Sequence, residues 1–292
     1  MEQRHTQAYP HPHEVGGSGA AGAAPGVGAA SGVGTAAGGT RRPGGLAATG
    51  GGRIGWLDCA AGASGDMFLG ALVDVGVELS LLQQAVSSLP TEPITLRAHR
   101  VERHSIAATK VDVQTAALPA HRTWADVRKL LDGADLAEPA RALAHDTFAR
   151  LARAEAQAHR IDVDDVHFHE VGALDAIADV VGAAAGLVSL GLDRLAVGVI
   201  TLGSGRARGS HGGIPVPGPA TLSLLGAVGA PCVGGPTADE MCTPTGAALI
   251  AAAATDFGAL PRMRPLTVGN GAGGRDVAEL PNLLRMVIGD PI

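Results

Sequence analysis

A mixed α/β fold with an aliphatic core is what this sequence predicts, and three observations predict it. Apolar residues fill 46% of 292 positions while only seven side chains are aromatic, so Leu, Ile, Val and Ala must fill the core. Segments with a period of two and segments with a helical period intermix along the chain, without a repeat of fixed length. Glycine is uneven: 15 of the 43 fall within the first 52 residues, which separates a tail from a folded body over 53–292.

The tail, residues 1–52, is Gly, Ala, Pro and Ser with scattered polar residues and no period. It cannot bury enough apolar surface to offset its ordering entropy and is expected to be disordered. The body opens with a buried strand, 54–59, followed by a Gly-rich turn and an apolar helix over about 67–75 that Gly76 stops. A second helix covers about 80–88, and two β segments follow at 94–101 and 107–115. Thr123 and Asp126 form a capping-box pattern that starts a short helix. A long helix is predicted over 137–159, with Leu143, Phe148, Leu151 and Ala154 on its buried side. Beyond an acidic turn at 162–165 come the segment 166–171, a helix over 174–190 and a strand over 195–202. The loop 203–212 leads to Pro217 and Pro219, which suit the first turn of a helix. Another helix follows Thr243, and strands at 266–270 and 283–288 end the pattern.

Charge and composition exclude several function classes. Three of the 22 basic and two of the 28 acidic residues precede position 53, leaving 19 against 26 in the body, a net of −7. Lysine occurs only at Lys110 and Lys129, so a nucleic acid backbone is an unsuitable partner. The longest uncharged run, 209–238, holds eight Gly and five Pro and cannot cross a membrane as a helix. Cys59, Cys232 and Cys242 are odd in number without C-x-x-C spacing, which fits free thiols in a cytoplasmic protein.

Five blocks carry potential chemistry. In Val166-His167-Phe168-His169-Glu170-Val171-Gly172, an extended chain puts both imidazoles on one face. With Glu170 and Asp175 they form a ligand set for Zn, Ni, Mn or Fe, and a solvated turn is the alternative. In Asp58-Cys59-Ala-Ala-Gly62-Ala-Ser64-Gly65-Asp66, a strand end, a small-residue turn and a helix start place backbone N–H groups toward an anion. There Ser64 and Gly65 are binding candidates, and Asp58 and Asp66 are candidates for a divalent cation or general base; the alternative is that Asp66 merely caps the helix. The loop with Gly203, Gly205, Arg206, Arg208 and His211 suits a phosphate or carboxylate, with His211 a catalytic candidate, or is simply a polar loop. Thr243 and Thr245 at a helix start either hold a phosphate or cap the helix. Arg275, within 269–276, clamps an anion or pairs with Asp276 or Glu279.

Together the blocks resemble the LarC nickel insertion family. Asp58-Cys-x-x-Gly-x-Ser-Gly-Asp-Met67, His167-Phe-His-Glu-Val-Gly-Ala173 with Asp175, and Gly203-Ser-Gly…His211-Gly…Pro-Val-Pro-x-Pro-Ala-Thr221 occur in the family's order. Thr243-Pro-Thr-Gly-Ala247 and Gly271-Ala-Gly-x-Arg-Asp276…Pro-Asn282 complete the series, with Asn270 where the family usually has Tyr. The resemblance implies a lyase-class nickel chelatase. Ni(II) is inserted into pyridinium-3,5-bisthiocarboxylic acid mononucleotide, CTP is consumed and Mn(II) or Mg(II) assists. It further implies a lactate racemase-type apoenzyme as acceptor of the nickel-pincer cofactor, and a homo-oligomer is expected. Full-length members continue into a CTP-binding domain, so the chain is expected to correspond to the amino-terminal region, with that domain on a separate chain. On this reading His167, His169 and Glu170 take up Ni(II), Asp58 and Asp66 bind Mn(II) or accept the ring proton, and Arg206, Arg208 and Arg275 hold the phosphate. The competing readings are a metal-dependent hydrolase or phosphotransferase, and a non-catalytic nickel chaperone or remnant.

Overall fold

The computed structural model describes residues 52–115, 122–168, 172–209 and 212–292, without the side chains of 207–209 and 212, all within one unit, Arg41–Ile292. The expected tail, apart from Gly52, lies outside the described residues, as do Ser210, His211 and His169 to Val171.

The chain runs β1 (Ile54–Asp58), α1 (Gly65–Asp74), α2 (Leu79–Ser87), β2 (Ile94–Arg103), β3 (Ile106–Thr115), β4 (Arg122–Thr123), α3 (Trp124–Gly133) and α4 (Glu138–His159). A 3-10 turn (Val163–Asp165) precedes β5 (His167–Phe168), α5 (Leu174–Ser189), β6 (Arg194–Val197), β7 (Ile200–Thr201), β8 (Arg206–Gly209) and β9 (Gly212–Pro215). Then come α6 (Pro219–Ala227), β10 (Cys232–Val233), α7 (Pro244–Ala253), β11 (Asp256–Phe257), β12 (Met263–Ala272) and β13 (Leu283–Pro291). The mixed α/β class predicted from the sequence is the observed one.

Seven strands form one sheet in the order β11-β6-β1-β13-β12-β3-β2. β1 is parallel to β6 and antiparallel to β13, and β12 is parallel to β3. The sheet therefore mixes the crossover connections of a parallel sheet with hairpin-like neighbours. α1 packs on β12 and β3, α5 packs on α1 and α2, and α4 backs onto α5, α6 and α7. On β13 the alternate residues Leu284, Met286 and Ile288 join the main core under the helices. Leu283 and Val287 join separate small clusters on the other face, as the period of two in a strand requires.

The core is aliphatic with three fully buried phenylalanines, Phe68, Phe148 and Phe168, set into it. Leu143, Phe148, Leu151 and Ala154 of α4 are all buried, as their spacing predicts. Thr123 starts α3 with a full capping box: the Asp126 N–H donates to Thr123 Oγ1 at 3.1 Å, and the Thr123 N–H donates to Asp126 Oδ2 at 3.1 Å. The Thr123 hydroxyl, donating to Asp126 Oδ2 at 2.7 Å, and then the Thr123 N–H hold the Asp126 carboxyl below its ordinary value.

Two expectations change. The single strand over 195–202 is two: β6 stays in the sheet, whereas Ile200 donates to the Pro231 carbonyl at 2.9 Å and β7 pairs with β10. Past Val197 the chain still donates from Gly198 to the Leu57 carbonyl at 2.9 Å and from Thr201 to the Cys59 carbonyl at 3.1 Å, but its ladder partner becomes β10. The glycine-rich loop 203–212 is largely a ribbon, with β8 antiparallel to β9 and Arg206 opposite Pro215. Backbone pairing satisfies N–H groups that an anion cradle would need.

Candidate functional site

The turn after β1 is where separate parts of the chain meet. Gly62 has φ +85 and lies so close to the Met241 carbonyl that no Cβ fits there. The Ala63 N–H donates to the Met241 carbonyl and the Thr243 N–H to the Ala63 carbonyl, both at 3.0 Å. The Met241 N–H donates to the Leu202 carbonyl at 3.0 Å, and Gly203 bridges Glu240. Three of the sequence blocks, at 58–66, 203–205 and 240–246, are thus stitched together by backbone hydrogen bonds. The fifth joins them at its arginine, whose Nη1 lies 3.4 Å from Asp239 Oδ1.

At the first turn of α1, Ser64 Oγ donates to Asp66 Oδ1 in a short hydrogen bond, and the Met67 N–H donates to the same oxygen at 2.9 Å. Lys110 Nζ, from β3, lies 2.8 Å from Asp66 Oδ2 and 3.6 Å from Asp112 Oδ1. Asp179, one helical turn after Asp175 on α5, places its carboxyl against Gly65, at a spot a Cβ there would occupy. Its Oδ1 is sealed from solvent and has no hydrogen-bond partner among the described residues. Burial, and then the charges of Asp66 and Asp175, push the Asp179 carboxyl well above its ordinary value, with Lys110 acting the other way. A carboxylate held by an ammonium near a second carboxyl whose proton is held more tightly than usual is an arrangement suited to moving protons.

Asp58 sits apart from this cluster. Its Oδ2 accepts a short hydrogen bond from Arg285 Nη2 and its Oδ1 accepts from the Ala60 N–H at 3.1 Å. Both oxygens are engaged within the chain. It lines an open cleft of about 390 Å³ on the sheet face opposite α1.

The remaining predicted residues fall as follows. His167 is exposed on β5, opposite Thr123, while the adjacent Phe168 turns inward against Phe148. Asp175 is exposed in the first turn of α5, its Oδ1 accepting from the Ala176 N–H at 2.9 Å. Among the described residues no three His, Cys, Asp or Glu side chains stand close enough together to hold a metal ion; His169 and Glu170 lie outside them. Arg206 donates from Nη2 to the Gly213 carbonyl at 3.0 Å, Gly205 has φ +86, and the side chain of Arg208 is not among those described. Thr243 Oγ1 accepts from the Gly246 N–H at 3.2 Å as the cap of α7, and Thr245 is buried. Cys59 and Cys242 are fully buried, and desolvation pushes both thiols up, which disfavours thiolate chemistry.

Sequence reasoning missed Lys110, the sealed carboxyl oxygen of Asp179, Asp239 and Arg285. The rarity of lysine was the one signal available for Lys110; nothing local distinguishes the other three.

A family model described as nickel insertion protein matches residues 55–291. A Nocardioides protein named pyridinium-3,5-bisthiocarboxylic acid mononucleotide nickel insertion protein is 52% identical over 236 residues, covering 81% of this chain and 60% of that protein. Relatives from Citrifermentans bemidjiense and Syntrophotalea carbinolica, which carry the same family's name, are 43% and 45% identical, covering 82% and 80% of this chain and 62% and 59% of theirs. The chain spans about 60% of the length of the curated relatives it matches. No solved structure matches.

Proposed function

The chain belongs to the nickel insertion protein family, and from that premise we propose that it inserts Ni(II) into pyridinium-3,5-bisthiocarboxylic acid mononucleotide. The observation that carries this reading is the joining of blocks from across the matched region at the turn after β1. Nickel is a substrate here. His167, with His169 and Glu170, receives it, since imidazole suits Ni(II) and an open coordination position permits transfer to the thiocarboxylate sulfurs. Nickel replaces a ring hydrogen when its bond to carbon forms, so a proton must be accepted. Asp66 is the acceptor: Ser64 and Lys110 hold its carboxylate in one orientation, and the acid on Asp179 lies beside it.

Arg206, Arg208 and Arg275 hold the substrate phosphate, with the turn at Ser64-Gly65, Gly205, Thr243 and Thr245 shaping the site around it. Arg275 is 61% exposed and its 3.4 Å pair with Asp239 is readily exchanged for a phosphate. A resident Mn(II) or Mg(II) does not fit the Asp66 cluster, because Lys110 already occupies the carboxylate, and no step is routed through such an ion. CTP, in this reading, is bound by a second domain on this or a separate chain, and the finished cofactor passes to a lactate racemase-type apoenzyme.

Incubation with Ni(II), CTP and the bisthiocarboxylate nucleotide should yield the nickel-pincer product by mass spectrometry. Metal binding without product points to a chaperone, and turnover of unrelated phosphoesters to a hydrolase. Asp66→Asn should lower product formation by about 100-fold or more while leaving nickel stoichiometry unchanged. Calorimetric titration of the His167→Ala/His169→Ala double variant should show nickel affinity reduced by about tenfold or more. Unchanged stoichiometry and affinity would sink the nickel-ligand assignment.

A further inference from the structure

The cleft on the sheet face opposite α1 is built in rows. Asp58, Arg285 and Asn270 lie directly abreast on β1, β13 and β12, so their side chains share one face. The next outward-facing row is Trp56, Val287 and Val268. Leu283, which follows Leu280 and Pro281, bounds the other side, and Ile106 of β3 overhangs the end. The floor is thus a polar stripe and the walls are aliphatic.

Arg285 is the group in the floor with capacity to spare. Asp58 takes Nη2, and neither Nη1 nor Nε has a partner among the described residues. Asp58 is tied at its other oxygen by the Ala60 N–H, which fixes the guanidinium plane from one edge. Half of the Arg285 side chain remains exposed. Asn270 is anchored at both ends, its N–H donating to Asp74 Oδ2 at 2.8 Å and its Nδ2 donating to the Ala107 carbonyl at 3.1 Å, leaving its side-chain carbonyl as an acceptor. A planar guanidinium with a free edge matches a carboxylate or thiocarboxylate, and aliphatic walls around it match a flat ring. The volume, about 390 Å³, lies within the range of small-molecule sites.

We infer that this cleft binds an aromatic carboxylate or thiocarboxylate, with Arg285 as the binding residue and Asp58 as the residue that positions it. The inference rests on the nickel-insertion reading only in naming the bisthiocarboxylate pyridinium ring as the natural ligand. On that assignment Asp58 acts through Arg285, and the cleft is a substrate-docking site separate from the Asp66 cluster on the α1 side of the sheet.

Pyridine-3,5-dicarboxylate tests it directly, with the neutral pyridine-3,5-dicarboxamide as its isosteric partner, titrated by calorimetry into the full chain. Wild type should bind the dicarboxylate saturably at millimolar concentration and in preference to the dicarboxamide. Arg285→Met should weaken dicarboxylate binding about tenfold and abolish that preference, with Arg285→Lys in between. Asp58→Asn should narrow the preference without changing dicarboxamide binding, a split that a purely structural role would not produce. Val268→Glu, at a position 49% exposed, should repel the dicarboxylate without touching the ion pair, and so reads the cleft independently of Arg285. No saturable binding by wild type, or equal binding by Arg285→Met and Val268→Glu, overturns the inference. Undiminished nickel insertion by Arg285→Met removes the cleft and leaves the function standing. Dicarboxylate binding with no nickel insertion by wild type does the reverse.

Discussion

Asp179→Asn is expected to stabilise the protein at neutral and alkaline pH and to flatten its stability profile. The Asp179 carboxyl is raised well above its ordinary value by burial, then by Asp66 and Asp175, with Lys110 opposing. Those groups come from α1, from α5 itself and from β3, the elements packed around the carboxyl. A group whose folded pKa is raised contributes stability that is present in full below the unfolded value near pH 4 and is lost as pH rises through the folded value. Between those limits each pH unit removes about 1.4 kcal/mol. Asparagine has the same shape and cannot ionise, so the falling limb should disappear. Urea unfolding of both proteins at pH 5 and pH 8 measures it: the difference in midpoint should be smaller at pH 5 than at pH 8. Parallel profiles would show that Asp179 ionises in the folded state as freely as in the unfolded chain. The same variant should slow nickel insertion, because an ionisable carboxyl near Asp66 is gone.

Gly271→Ala is expected to be among the most destabilising single changes in the sheet. A Cβ at Gly271 would overlap the Met67 carbonyl oxygen and crowd the Ala71 N–H, both in the backbone of α1, where no rotamer change gives relief. The contact is reciprocal, since a Cβ at Gly70 of α1 would overlap the Thr109 carbonyl and meet Gly271 Cα at 2.9 Å. Strand and helix backbones touch here, and an added methyl must push α1 off β12. Overpacking of this kind costs about 1–3 kcal/mol where side chains can adjust, and the larger value is the floor where they cannot. For a body of this size that corresponds to a fall in Tm of roughly 6–12 °C. Because α1 also carries Asp66, activity should fall more than stability alone explains. A melting temperature within a degree or two of wild type would show that α1 shifts freely and that the close approach is not required.

Much of the fold was legible in local pattern. Capping at Thr123 and Thr243, the Pro219 start of α6 and the buried stripe of α4 depend on residues within one or two turns of each other, and all are observed. The strand over 195–202 divides because its second part pairs with β10, a partner about thirty residues away that its own residues do not announce. The glycine-rich loop differs from expectation for a related reason: 206–209 pair with 212–215, and nothing within 203–209 alone announces the partner.

The site divides along the same line. The sequence by itself determined which residue types stand in each block, their order and the family they resemble, because these are properties of neighbouring positions. Tertiary structure alone decided that Asp58 and Asp66, seemingly a pair bracketing one turn, serve two different faces. Asp66 finds Lys110 at a separation of 44 residues, and Asp58 finds Arg285 at 227. Those partners are set by strand order, with β13 beside β1 and β3 beyond β12. Strand order is fixed by burying the helices on one face of the sheet, a requirement of the whole core that no short window of residues contains.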